Sequence, residues 1–172
     1  MDEAAERRDW RKTAIVAVIA IEVVGGLSGW LSNSGYGNAW FDALPKPDFM
    51  PPGWVFGVVW PILYALLGIA VAMILALPPS PRRQAALTLF FIQLVLNFAW
   101  SPIFFAMQDI TTAKIVIFVM AATAAAAAGQ FLRLRRTAGL LMAPYLAWLI
   151  FAATLTSTIE QLNPGAGTFM FG

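Results

Sequence analysis

Polar residues in this chain are gathered into short intervals, and between them run five stretches of almost unbroken apolar sequence, at 13–31, 54–77, 84–107, 113–134 and 138–158. A helix needs roughly 20 residues to cross about 30 Å of hydrocarbon, and each stretch is long enough. Lipid offers no partner to a backbone N–H or C=O, so such runs fold as helices rather than open strands. The alanine run AATAAAAAG, from Ala121 to Gly129, agrees with that assignment. The pattern predicts an all-α integral membrane protein, a single domain over 1–172 built as a bundle of five transmembrane helices.

The connections are unequal. PPSPRR at 78–83 and the stretch around Arg135 to Thr137 read as tight turns between antiparallel neighbours. The loop at 32–53 is far longer, and its Gly-Tyr-Gly and Pro-Lys-Pro elements suggest a shaped lid, beside the plainer reading of an exposed connection. No internal repeat is visible, which disfavours an inverted-repeat transporter.

Composition supports the membrane assignment: 60% of the 172 residues are hydrophobic and 12% are charged, too little polar surface for a soluble domain. Nine Lys and Arg residues flank one side of the five spans and two flank the other. The positive-inside rule then places the N-terminus in the cytoplasm and the C-terminus outside. The basic excess is thereby a topology signal, and no nucleic-acid partner is expected. The charged start followed by an apolar run does not read as a signal peptide, because acids are mixed with the bases and no A-x-A site closes it.

The chain has neither Cys nor His. Disulfides and thiol chemistry are excluded, and the usual ligands of zinc, copper and haem iron are missing, so no metal site is expected. No nucleophile and base pair up, and no catalytic residue is assigned on chemical grounds.

Attention then falls on polar and stiff residues at membrane depth. Glu22 lies mid-span, where a carboxylate is costly. Gln93 and Asn97 are one turn apart on span three, with Gln93 assigned to interhelical hydrogen bonding, while Lys114 is expected to snorkel to the interface. Pro61, Pro102 and Pro144 fall inside spans, where proline removes a backbone hydrogen bond and kinks the helix, and each has a tryptophan nearby. Kinked helices leave room between them.

WFDALPKPDFMPPGWVFGVVWPILY, residues 40–64, runs from the loop into span two. Trp60 lies about 9 Å inside that span at 1.5 Å per residue, and helical spacing puts Phe56, Trp60 and Tyr64 on one face. Asn97 with Trp100, and Trp148 with Phe151, reach the same level from spans three and five. An interfacial aromatic belt accounts for Trp30 and Trp54. For Trp60 and Trp100, belt or packing stands beside a second reading, a pocket for a flat, largely apolar molecule.

Three segments in order, residues 40–64, LNFAWSPIFF at 96–105 and PYLAWLIFAATL at 144–155, resemble the signature segments of the tryptophan-rich sensory protein/translocator protein family, also called peripheral-type benzodiazepine receptors. The resemblance implies a five-helix bundle, commonly a homodimer. It also implies a cavity near the first loop that binds porphyrins, such as protoporphyrin IX and haem, and benzodiazepine-receptor-type ligands. Motif positions imply Trp60, Asn97, Trp100, Trp148, Ala152 and Leu155 as cavity residues, to which the facing argument adds Tyr64 and Phe151. Trp40, Pro47 and Pro51 become loop structure. Porphyrin is then a ligand, and no cofactor is required.

Three functions follow as expectations: a receptor or sensor that also transports its ligand or does not, a light-dependent porphyrin-degrading enzyme using Trp60 and Trp148, or a structural membrane protein. A bacterial membrane, inner or outer unassigned, is the expected location. TLTSTIEQLN at 154–163 lacks the Tyr and Lys or Arg of the cholesterol-recognition pattern found in animal relatives. Thr156 stands where the family usually has Asn.

Overall fold

The computed structural model describes residues 10–166. Among these, all regular structure is helical. α1 (Trp10–Leu31), α3 (Gly53–Leu75), α4 (Pro81–Ser101) and α5 (Ile110–Leu134) are long helices; α2 (Ala39–Ala43) is a single short turn of helix in the long loop; α6 (Arg136–Leu141) and α7 (Ala143–Leu162) together make the last span. Five segments are long and apolar enough to cross a membrane. The chain is therefore a five-span bundle, and its outward-facing Ile15, Val16, Val95 and Ile150 are exposed as lipid-facing residues should be.

The spans close into a ring. α1 lies between α3 and α4, α5 packs on α4 and α7, and α6 returns to α3. Closest approach is set by glycine: a Cβ on Gly68 of α3 would come within 2.8 Å of the Val18 backbone on α1. The ring is not equally tight along its length. α3 meets the last span closely through α6, at the end carrying most of the basic residues, whereas α3 and α7 barely touch. Burial follows: Leu67, Ala70, Ala72 and Ile74 at that end of α3 are fully buried, while Trp54, Val58 and Ile62 toward the loop are exposed.

Ends are fixed by local chemistry. Ser80 accepts from the Arg83 N–H and begins α4 at Pro81, and Asp109 accepts from the Thr112 N–H and begins α5 at Ile110. These caps explain why both helices start three residues before the apolar pattern does. Arg83 reaches back to donate to the Ile74 and Leu75 carbonyls, closing the C-terminus of α3.

The tight turn expected around Arg135 to Thr137 is one residue long: Arg135 alone separates α5 from α6, and Gly139 lets the returning helix lie against Leu132. Other expectations need correction. The last span extends to Leu162 and breaks at Met142, with Pro144 in the first turn of α7. Within the long loop, Asn38 accepts from the Trp40 and Phe41 N–H groups and nucleates α2. Lys114 does not merely snorkel; it forms an ion pair with Glu160 across the α5–α7 contact.

The three internal prolines act differently. Pro61 sits within α3 without interrupting it. Pro102 opens a π-helical turn, Pro102–Ala106. Having no N–H, it cannot donate to the Phe98 carbonyl four residues back, and Ser28 of α1 donates to that carbonyl instead, at 2.6 Å. Ser28→Ala is therefore expected to lower stability by about 1 kcal/mol. In a Pro102→Ala background the loss should shrink, as a double-mutant cycle of thermal unfolding in detergent would read.

Candidate functional site

Where α3 and α7 part, aromatic rings fill the gap. Trp148 is the hub: its ring centroid lies 5.7 Å from Phe56, 6.4 Å from Trp60 and 5.2 Å from Phe151. The contacts to Phe56 and Trp60 are edge-on, at 74° and 84°, the arrangement that suits the charge distribution of aromatic faces. From the loop, the half-exposed Phe49 lays its ring edge on Phe151 at 6.4 Å. The loop thus roofs the cluster.

Below the rings lies a polar floor. Tyr64, 5.3 Å from Trp60, donates its hydroxyl to Asn97 Oδ1 at 2.8 Å. Asn97 Nδ2 donates to the Tyr145 hydroxyl at 3.1 Å, which donates in turn to Gln93 Oε1 at 2.7 Å. All four residues are buried, and the chain of bonds ties α3, α4 and α7 together. Gly25 of α1 seats this floor, since a methyl group there would overlap the Tyr64 ring. Glu22, half-buried on α1, makes no hydrogen bond to this floor but lies near enough to act on Tyr64 through its charge.

Two buried donors in this region have no partner among the described residues: Gln93 Nε2 and Trp148 Nε1. Gln93 is entirely enclosed by protein. The Trp148 N–H belongs instead to the ring at the centre of the aromatic cluster, and an unmade hydrogen bond of this kind is costly unless something supplies an acceptor.

The candidate residues divide. Trp60, Tyr64, Asn97, Trp148 and Phe151 come together, with the half-buried Ala152 packed beside them. Trp100 stands apart: it stacks on Phe104 at 4.9 Å and 16°, and its Nε1–H is already donated to the Ala113 carbonyl at 3.1 Å. Leu155 belongs with Phe41, Leu44 and Phe104 in a second apolar cluster under α2. Thr156 is buried, and its hydroxyl donates to the Ala152 carbonyl of its own helix. Of the loop residues, Trp40 rests on Phe104, Pro47 accepts from the Met50 N–H, and Pro51 accepts from the Tyr36 hydroxyl.

Tyr145 and Phe49 were not singled out by the sequence pattern. A signal existed for Tyr145, a phenol mid-span that must find a partner once buried. None existed for Phe49, whose role depends on the path of the loop. Grooves of about 610 Å³ along α4 and about 440 Å³ between α1 and the π turn open elsewhere, and neither includes Trp60 or Trp148. No group of three or more Asp and Glu residues placed to hold a metal occurs among the described residues.

Known proteins carry the same arrangement of sequence. The profile of the TspO/MBR family matches residues 15–162. A tryptophan-rich protein TspO of Chlorobaculum tepidum is 37% identical over 126 residues, 73% of this chain and 80% of that protein. The translocator protein of Sus scrofa is 34% identical over 152 residues, 86% of this chain and 90% of its own. A tryptophan-rich protein TspO of Archaeoglobus fulgidus is 35% identical over 152 residues, covering 87% and 94%.

The polar floor makes a measurable prediction. Asn97→Ala strands the Tyr64 hydroxyl in a buried site and takes the donor from the Tyr145 oxygen, which keeps its own bond to Gln93; it should cost about 2 kcal/mol, read as a lowered unfolding midpoint in detergent. Tyr64→Phe, which leaves only one carbonyl oxygen of Asn97 short of a donor, should cost less.

Proposed function

Because the chain belongs to the TspO/MBR family, we propose that its aromatic cluster is a receptor site for porphyrins such as protoporphyrin IX and haem, and for flat benzodiazepine-receptor-type ligands. The observation that carries this reading is Trp148: its ring is shared by Phe56, Trp60 and Phe151, and its N–H is buried without a partner. A ligand that lays an apolar face on these rings and offers one acceptor would meet both needs at once. Trp60 and Trp148 cross nearly at right angles, so a flat ligand lies against the cluster rather than between the two indoles, on the side roofed by Phe49. The parting of α3 from α7 supplies the room.

Sensing is the activity this arrangement fits best, with carriage of the ligand an extension of it. A second reading has one observation in its favour: Trp60 and Trp148, with centroids 6.4 Å apart, are the oxidisable rings nearest a bound pigment. Light-dependent degradation would then proceed from the excited porphyrin and oxygen, with the protein supplying orientation. Illumination of bound protoporphyrin should give a defined product that is lost in Trp60→Phe with Trp148→Phe; equal bleaching in both proteins would reject this activity.

The remaining assignments have their own support. The basic end of the bundle faces the cytoplasm by the positive-inside rule. A homodimer through α5 is favoured by its exposed Ala122, Ala125 and Ala126, small residues that permit close approach of helices.

Titration of the purified protein with protoporphyrin IX should quench tryptophan fluorescence saturably. Trp148→Phe keeps a ring but removes the N–H, and is expected to weaken binding about tenfold, the equivalent of one hydrogen bond. Trp100→Phe should change affinity little. Unchanged affinity after Trp60→Ala combined with Trp148→Ala would place the ligand elsewhere.

A further inference from the structure

The polar floor has a direction, and a group is left over beyond each of its ends. Tyr64 donates to Asn97, Asn97 to Tyr145, and Tyr145 to Gln93, at 2.8, 3.1 and 2.7 Å. At the far end, Gln93 Nε2 has no partner among the described residues although Gln93 is fully buried. At the near end, the Tyr64 hydroxyl lies against α1, where a Cβ on Gly25 would come within 2.9 Å of its oxygen. Glu22 precedes Gly25 by one turn of the same helix, the spacing at which side chains are neighbours. It is half-buried, makes no hydrogen bond or ion pair among the described residues, and acts on Tyr64 through its charge.

The elements packed on α1 bring no other charge to that level. α3, α4 and the π turn are its neighbours. Tyr64 is the one titratable side chain of α3, Arg82 and Arg83 stand in the first turn of α4, and the π turn has none. On α1 itself, Arg11 and Lys12 lie about 15 Å down the axis from Glu22 at about 1.5 Å per residue. Tyr145, within the chain of bonds, is the remaining titratable group.

An amide turned by 180° exchanges donor and acceptor while keeping its shape, and a hydroxyl donates or accepts. The same heavy-atom separations therefore serve a chain of the opposite direction. Gln93 Nε2 then donates to Tyr145, Tyr145 to Asn97 Oδ1, and Asn97 Nδ2 to Tyr64, whose own proton needs an acceptor on α1. Glu22 is the acceptor at hand. We propose that Glu22 and Tyr64 form a proton-binding site inside the membrane, and that the proton held there sets the direction of the whole chain. With the proton on Glu22, the carboxyl donates to Tyr64 and the chain runs toward Gln93, leaving Nε2 over. When that proton leaves to water, the carboxylate accepts from Tyr64 and the chain reverses. Nε2 is then paired and Gln93 Oε1 is left over instead, a carbonyl being the less costly group to leave unpaired. Each direction has one unmet demand, an orphan donor in the first and a carboxylate at membrane depth in the second, so neither is locked. Tyr64 also lies 5.3 Å from Trp60, and the reversal thereby reaches the aromatic cluster whatever that cluster binds.

Infrared difference spectroscopy of the full chain in lipid nanodiscs, titrated from acid to alkaline pH with no ligand added, tests this. Loss of a protonated-carboxyl band is expected as pH rises, together with shifts of the side-chain amide carbonyl bands and of a tyrosine ring band. Acids at the water surface contribute carboxyl bands of their own, so the Glu22 signal is the part that Glu22→Gln removes. That variant should also abolish the amide and tyrosine shifts. Tyr64→Phe cuts the chain between the acid and Asn97, and should keep the Glu22 carboxyl band while losing the amide shifts. Wild-type amide bands that stay still across the titration overturn the proposal without recourse to any variant. A response in Glu22→Gln equal to that of the wild type, or amide shifts that survive Tyr64→Phe, overturns it as well.

Discussion

Every backbone polar group in this protein that lies in hydrocarbon must be satisfied by the protein itself, and much of the architecture answers that demand. Five helices satisfy most groups internally. Pro102 creates a deficit at the Phe98 carbonyl, and Ser28 on the neighbouring helix meets it, so the irregularity that widens span three also ties that span to α1. At the helix ends, Arg83 closes α3, Lys46 closes α2, and Asn163 donates to the Pro45 carbonyl, fastening the loop to the end of α7. The roof over the aromatic cluster is thus held by the same accounting of carbonyls that holds the spans.

The site takes its character from a difference in packing along one seam. α6 meets α3 tightly, with small and aliphatic residues fully buried, and α7 then diverges. Large rings occupy the divergence because helices set farther apart leave space that only bulky side chains fill at normal packing density. Beneath them, the chain from Tyr64 through Asn97 and Tyr145 to Gln93 fixes the separation of three helices with directional bonds. Such a floor is rigid as far as its members are paired; Gln93 Nε2 within it and the Trp148 N–H above it have no partner among the described residues.

Cations at the loop end are spent on the protein's own carbonyls and on Glu160. The Thr156 hydroxyl is likewise turned back onto the Ala152 carbonyl of its own helix.

The five spans, the membrane class and the family were legible in the sequence, since hydrophobic length and the order of three aromatic segments do not depend on how helices pack. Trp60, Tyr64, Asn97, Trp148 and Phe151 were also within reach, because helical spacing sets which side chains share a face and the order of spans sets their depth. Trp100 shows where that argument stops: depth placed it with the others, but the π turn after it directs its ring onto Phe104 and its N–H onto Ala113. The ion pair of Lys114 with Glu160 and the pairing of Tyr145 each depend on which helices become neighbours. Sequence by itself determined the helices and their apolar faces, which arise from local periodicity and the solvent. Only the tertiary structure decided which polar groups are spent and which donors are left over, because hydrogen bonds between helices close over distances in space that spacing along the chain does not encode.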